Sequence, residues 1–277
     1  MIDGDVVLIH GLASAPPTWN RLEQVLSEDP ALAGLQWHRF GYRSPIVGIP
    51  FLPRRIPDHD DIAQTLASFV QVRTSADRKL AFVTHSQGGL ILQRFLARQL
   101  NNGHGRDLTR IRSIIMLACP HEGSDYQSIF RKMLGLNFHA QRKSLTQFQS
   151  DVAETRRTVL NQIVNATTVS DRTCPIPVHV YAGDSDRVVV RVSAQSAFPD
   201  SGVLPGDHFS IIDPDWPESL TAETVRHRLV TDFAAPSPVA TPPPAATPPA
   251  ERGDINISGG TGFQFGDGNT QINNGDR

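Results

Sequence analysis

Residues 80–89 read Leu-Ala-Phe-Val-Thr-His-Ser-Gln-Gly-Gly. The apolar first half of this stretch, residues 80–84, predicts a buried strand, and residues 88–101 predict a helix. A serine on a sharp turn between a strand and a helix is typical of a nucleophile elbow, where backbone strain presents Oγ at the tip of the sheet. Gly88 is the small residue that such a turn needs two positions after Ser86. Thr84 departs from the glycine that is commoner two positions before the serine.

Short apolar runs alternate with helix-like stretches on both sides of this turn. This alternation predicts an α/β fold with a doubly wound, mostly parallel sheet. Such sheets bind ligands beyond the carboxyl ends of their strands, which is the edge where Ser86 is expected. The strand candidates are residues 6–9, 35–42, 80–84, 111–118 and 176–182, and the helix candidates are residues 17–26, 58–73, 88–101 and 217–233.

Composition excludes several classes of protein. The chain has 277 residues, a formal charge of −2 and a pI near 6.5, which gives no electrostatic basis for a nucleic-acid partner. Cys119 and Cys174 are too few for a disulfide framework and lack the spacing of metal ligands. The opening residues do not resemble a leader peptide, and no apolar run approaches membrane-spanning length. We therefore expect a cytoplasmic protein.

A serine nucleophile needs a histidine base and a carboxylate that orients this base. In enzymes with a nucleophile elbow the chain order is serine, then Asp or Glu, then histidine. Asp186, just past the strand candidate 176–182, is the preferred acid, and Asp184 is the competitor. His208 and His227 are the histidines that follow. His227 lies in the predicted closing helix, so His208 is the predicted base for Ser86.

The tetrahedral intermediate of acyl transfer needs two backbone N–H donors. Gln87, directly after the nucleophile, and Leu12, in the turn after the first strand, are the predicted donors. His10 and Gly11 are expected to shape this turn and to contact the substrate. His121 is expected on the rim of the site, as a further substrate contact. A metal site formed by His121 with its neighbour Glu122 would be a poor chelate, so we expect no metal there.

Together these motifs resemble the lipase-like serine esterases of the α/β-hydrolase superfamily, the group that includes GPI-inositol deacylase-like proteins. The resemblance covers roughly residues 5–233. It implies an α/β-hydrolase fold with a minimal core that begins at the family's third strand, nucleophilic acyl transfer and no cofactor. The matching motifs are His10-Gly11, Thr84 to Gly89, Pro120-His121-Glu122-Gly123-Ser124, Gly183 to Asp186 and Gly206-Asp207-His208-Phe209.

Three regions are expected along the chain: a catalytic domain at residues 1–233, a proline-rich linker at 234–252 and a tail at 253–277. Few charges, alternating apolar and amide residues and no proline make the tail suited to stacked in-register strands, whereas its glycine content favours a flexible tail. The tail resembles the RIP homotypic interaction motif and bacterial amyloid signalling motifs, although these have branched aliphatics at its two phenylalanine positions. The residues that carry the resemblance are Phe263, Gln264, Phe265, Gly266 and Asn269.

The tail resemblance implies self-association and an effector role in a cell-death or anti-phage pathway, with an NLR-type receptor that carries a matching motif. The apolar loop at 46–52, with Phe51 as a substrate contact, and the helix-like stretch at 126–166 suggest a lipid-type ester and transient membrane contact. Ordinary packing beneath a solvated basic face explains both segments equally well. The alternatives are a catalytically idle domain that acts as a tail-mediated interaction module, or an acyltransferase or thioesterase.

Overall fold

The structure is a computed structural model that describes residues 2–12, 14–42, 59–120, 142–186, 198–213 and 219–238, with side chains left out at 142–149. The chain divides into two compact units, Met1–Thr241 and Pro242–Arg277. The second unit lies wholly outside the described residues.

Within the described residues, the first unit is built on a six-stranded sheet with the order β2-β1-β3-β4-β5-β6. Every pair of neighbouring strands is parallel. The strands are β1 (Asp3–Ile9), β2 (Gly34–Phe40), β3 (Leu80–His85), β4 (Ile111–Leu117), β5 (Val178–Gly183) and β6 (Ser201–Leu204). The expectation of a doubly wound, mostly parallel sheet is confirmed.

Helices cover both faces of this sheet, so the central strands are buried on both sides. All residues of β3, β4 and β5 are buried, as expected for strands of parallel sheets. The α-helices are α1 (Asn20–Ser27), α2 (His59–Arg73), α3 (Gln87–Asn101), α4 (Arg142–Val159) and α5 (Leu220–Ala234). Shorter helical segments are Pro16–Trp19, Pro30–Leu32, Gly105–Arg110 and Ser210–Ile212, and a π-helical turn at Leu160–Val164 extends α4.

The two faces have separate apolar cores. On one face Val7 and Phe82 pack with residues of α2 and α3. On the other face Leu8 and Val83 pack with residues of α1 and α5, including Phe233. Since alternate residues of a strand point to opposite faces, each central strand contributes to both cores.

Helix α3 lies beside both α2 and α4. Arg94 of α3 pairs with Asp60 of α2: its Nη2 donates to Oδ2 at 2.9 Å, and its Nε contacts Oδ1. Nη1 of Arg94 also donates to Thr155 Oγ1 of α4 at 3.2 Å. Ion pairing and apolar packing thus fix the helix that begins directly after Ser86.

Helix α5 ends at Ala234, and the chain that follows is held against the sheet. Arg112 of β4 donates to the main-chain oxygens of Ala235 and Pro236 at 2.6 and 2.7 Å, and to Ser237 Oγ at 2.8 Å. Arg112 lies at the amino end of β4, so the chain leaves α5 at the sheet edge opposite Ser86. Within the described segments, no helix is long and apolar enough to cross a membrane.

Candidate active site

Ser86 occupies a strained turn between β3 and α3. Its backbone angles are φ 52° and ψ −124°, and positive φ is uncommon for a residue with a side chain. The N–H of Ser86 donates to the Leu117 carbonyl at 3.1 Å. A Cβ added at Gly88 would lie 2.4 Å from the Ile9 carbonyl oxygen. Only glycine therefore lets α3 begin this close to the carboxyl end of β1.

Thr84, at the position where glycine is commoner, is fully buried beneath the turn. Its Oγ1 lies 3.4 Å from Cys119 Sγ. Burial raises the pKa of the Cys119 thiol to about 12. The elbow therefore accommodates the branched side chain by pairing its hydroxyl with a neutral thiol.

His208 lies between Ser86 and Asp186. Its Nε2 is 2.9 Å from Ser86 Oγ, and its Nδ1 is 3.0 Å from Asp186 Oδ2. The side chains of His208 and Asp186 are 2% and 0% exposed. Because a carboxylate can only accept, Nδ1 carries the proton, and Nε2 is left to accept from the Ser86 hydroxyl. This arrangement can remove a proton from Ser86.

The two carboxylates that follow β5 have different partners. Oδ1 of Asp184 accepts from the Gly206 N–H at 3.0 Å, and Asp184 is exposed. Asp186 is the one that contacts His208. His227 is exposed on α5, where it lies between Arg226, which is also exposed, and the partly buried Arg228.

The two predicted oxyanion donors belong to segments that meet at Ser86. Gln87 is the first residue of α3, and the first N–H groups of a helix have no acceptor within it. Leu12 follows Gly11, where an added Cβ would lie 2.7 Å from Ser86 Cβ. The turn after β1 thus approaches the nucleophile so closely that a side chain at position 11 would clash with Ser86.

His10 is fully buried at the end of β1. It stacks on Tyr42, with ring centroids 4.3 Å apart and planes 3° from parallel. Its Nδ1 lies 2.9 Å from the Gly11 carbonyl, so Nδ1 carries the proton, while Nε2 accepts from the Tyr42 N–H at 3.4 Å. Burial lowers the pKa of His10. A neutral imidazole therefore supports the turn that precedes Leu12.

Tyr42 and His59 also contact the site, although no motif in the sequence predicts them there. The Tyr42 hydroxyl donates to the His10 carbonyl at 2.9 Å and lies 3.3 Å from Gln87 Oε1. Nε2 of Gln87 lies 3.1 Å from His59 Nε2. Tyr42 follows β2, at the carboxyl edge that parallel sheets use for binding, and this position is the signal that could have identified it.

A second non-glycine residue with positive φ stands beside the elbow. Ala118, directly after β4, has φ 49°, and its N–H donates to the Tyr181 carbonyl at 2.8 Å. The apolar run at residues 111–118 predicts a strand that includes Ala118. The structure corrects this: β4 ends at Leu117, because the backbone of Ala118 has left the extended conformation.

Several predicted residues lie outside the described residues, and the structure says nothing of them. Among the residues it does describe, no group of three His, Cys, Asp or Glu side chains could hold a metal ion. The residues outside the description are Phe51 and His121 of the predicted substrate contacts, and Phe263, Gln264, Phe265, Gly266 and Asn269 of the tail.

Residues 5–157 match the family described as "Putative serine esterase (DUF676)". This match spans more than half of the 277 residues. The chain belongs to this family. The family assignment makes the chain a serine esterase-type protein, and the matched region includes the elbow with Ser86.

Solved structures similar to this chain are α/β-hydrolases and related enzymes. ClbQ, from the colibactin NRPS/PKS pathway, is 14% identical and has a TM-score of 0.50 over 83% of this chain and 98% of its own. An extracellular α/β-hydrolase from a Paenibacillus species is 15% identical, with a TM-score of 0.47 over 83% and 99% of the two chains. The likeness to ClbQ shows a shared fold and nothing more. No curated protein matches the chain.

Proposed function

We propose that this chain hydrolyses carboxylic esters through Ser86, His208 and Asp186. The observation that carries the proposal is the hydrogen-bonded series from Ser86 Oγ to His208 Nε2 at 2.9 Å and from His208 Nδ1 to Asp186 Oδ2 at 3.0 Å. The series is buried, so its charges act in a medium of low dielectric.

In this reaction His208 takes the proton of Ser86 as Oγ attacks the ester carbonyl. The Leu12 and Gln87 N–H groups stabilise the oxyanion, and Asp186 orients and stabilises the imidazolium. His208 then gives its proton to the departing alcohol, which leaves an acyl group on Ser86. A water, deprotonated by His208, attacks this acyl group, and His208 then returns the proton to Ser86 Oγ as the carboxylic acid leaves.

The first test is reaction with a fluorophosphonate probe, together with turnover of a soluble p-nitrophenyl ester. We expect the unchanged protein to be labelled at Ser86 and the Ser86→Ala variant to be folded, unlabelled and inactive. Turnover retained by the purified Ser86→Ala variant would overturn the proposal. Absence of labelling in the folded, unchanged protein would favour the catalytically idle interaction module instead.

We further propose a lipid-type ester as substrate, with transient membrane contact. Two sequence segments support this: the apolar residues 46–52 and the helix-like residues 126–166. The first segment follows β2 and the second follows β4, and both strands end at the edge that carries Ser86. Helix α4 (Arg142–Val159), within the second segment, lies beside α3.

A series of esters with increasing acyl length tests this substrate class. Each buried methylene contributes about 0.8 kcal/mol, so we expect kcat/KM to rise about fourfold per added methylene until the site is filled. A maximum at the acetyl ester would refute the lipid assignment. Measuring acylated product in the presence of added alcohols and thiols distinguishes a hydrolase from an acyltransferase, and thioesters can be included in the same series.

We also propose that residues 253–277 mediate self-assembly and that a receptor with a matching motif recruits this cytoplasmic effector. The support is the sequence of the tail alone. We expect a variant without residues 253–277 to retain ester hydrolysis and to lose assembly. The isolated tail peptide should give cross-β diffraction with the spacing of about 4.7–4.8 Å. A peptide that stays monomeric would refute the role of the tail.

A further inference from the structure

His85, the residue before the nucleophile, is a buried imidazole that contacts the loop of the predicted base. It is 1% exposed. Its Nε2 lies 2.6 Å from the main-chain oxygen of His208. A carbonyl oxygen can only accept, so Nε2 carries the proton and donates. The two rings lie with their centroids 5.0 Å apart at an angle of 49°.

The other side of the His85 ring faces the turn after β1. A Cβ added at Gly11 would lie 3.1 Å from His85 Nδ1. Nδ1 is buried, and no described residue forms a hydrogen bond with it. The imidazole therefore fills the space between the Gly11 turn and the His208 loop, and its hydrogen bond with the described residues goes to the main chain of His208.

His85 is also neutral at the pH at which His208 would act as the base. Burial lowers the pKa of His85 to about 3, and the nearby charge of His208 adds to this effect. Asp186 opposes the shift, and His10 contributes to it weakly. A second positive charge at this position would disfavour protonation of His208. A neutral donor can hold the His208 main chain without this penalty.

We propose that His85 is a positioning residue that holds the His208 ring at hydrogen-bonding distance from Ser86. The hydrogen bond joins the last residue of β3 to the main chain of the loop that follows β6. Movement of this loop would change the distance between Nε2 and Oγ directly. The proposal rests on ester hydrolysis by Ser86 and His208, as proposed above, and adds a residue that acts through His208.

Two substitutions of His85 by side chains of nearly equal length distinguish the effect of losing the hydrogen bond from the effect of changing the packing. The amide nitrogen of Gln stands as many bonds from the main chain as His Nε2, so His85→Gln retains the donor. His85→Met has the same length without a donor. We expect His85→Gln to keep kcat within about 3-fold and His85→Met to lower it about 10- to 100-fold with KM unchanged, since about 1 Å of misplacement costs up to about 100-fold.

The experiment measures kcat, KM, the rate of fluorophosphonate labelling and the thermal midpoint for each variant. Full activity of His85→Met, equal impairment of both variants, or a loss confined to KM would overturn the positioning role. If His85→Met does not fold, His85→Asn replaces it, because the Asn amide reaches only the position of Nδ1 and cannot donate to the His208 carbonyl. The same loss of kcat is expected.

The Ser86→Ala variant separates failure of this inference from failure of the proposed function. If Ser86→Ala retains activity, or if the unchanged protein neither turns over ester nor reacts with the probe, the hydrolase proposal fails and the positioning role fails with it. If Ser86→Ala is inactive while His85→Met matches the unchanged protein, only the positioning role fails.

Discussion

Gly11→Ala is the substitution for which the structure gives the sharpest expectation. The added methyl group would lie 2.7 Å from Ser86 Cβ, 3.1 Å from His85 Nδ1 and 3.3 Å from the His85 carbonyl oxygen. None of these atoms belongs to a long side chain that could rotate away. The methyl group therefore has to displace the elbow, the turn after β1, or both.

The size of the displacement follows from the contact distance. A separation of 2.7 Å has to open to at least 3.4 Å, the start of ordinary contact. A shift of this size at Ser86 or Leu12 changes the distance from the nucleophile to the oxyanion donors. We expect kcat/KM to fall about 10- to 100-fold, since misplacement by about 1 Å costs up to about 100-fold. Overpacking lowers the free energy of unfolding by about 1–3 kcal/mol.

The assay combines ester turnover, the rate of fluorophosphonate labelling and urea unfolding. Gly103→Ala is the matched control, because Gly103 has φ +82° and no heavy atom of the described residues lies within 4 Å of an added Cβ. Strain in the control costs about 1–2 kcal/mol of stability without touching the elbow. If folded Gly11→Ala has the same kcat/KM as Gly103→Ala, the close approach of the two segments has no catalytic consequence, and the reasoning is refuted.

Two further predictions concern charge. Asp186→Asn should lower kcat by about 10²- to 10⁴-fold, because an amide cannot hold the required tautomer of His208. Asp184→Asn retains an oxygen that accepts from the Gly206 N–H and should leave kcat unchanged. If steady-state kinetics show the reverse pattern, Asp184 is the acid. The pKa of His85 is near 6.5 in the unfolded chain and about 3 in the folded chain. The unfolded chain therefore binds the proton first as pH decreases below 6.5, and the free energy of unfolding falls by up to about 1.4 kcal/mol per pH unit. Urea unfolding should therefore show the unchanged protein to be more acid-sensitive than His85→Gln, and equal pH slopes would contradict a neutral, buried His85.

The central strands could be predicted from the sequence because burial on both faces leaves continuous apolar runs. The runs at 80–84 and 111–118 correspond to strands β3 and β4, in which every residue is buried. Strand β6 was missed for the opposite reason. It reads Ser-Gly-Val-Leu, lies last in the order of strands and buries only Leu204, so pairing with β5 creates this strand and local sequence preference does not.

The contacts of the site were harder to predict from the sequence where they depend on packing between segments distant in the chain. Asp184 and Asp186 stand two positions apart in the same turn, and nothing local distinguishes them. The distinction comes from Gly206, whose N–H bonds to Asp184. The contacts of Gln87 with Tyr42 and His59 join segments distant in sequence, and no short motif encodes them.

Asp186 and His208 follow β5 and β6, the last two strands in the order of the sheet. Among the described residues, strand β6 pairs only with β5, so the register of this pair sets where His208 lies relative to Asp186. Two hydrogen bonds stabilise this arrangement: the Gly206 N–H donates to Asp184 Oδ1, and the Ser185 N–H donates to the Gly206 carbonyl at 3.2 Å. Neither hydrogen bond involves Ser86. The hydrogen bond from His85 to His208 joins the loop after β6 to β3, the strand that precedes Ser86. We therefore expect its loss to reduce kcat more strongly than the free energy of unfolding.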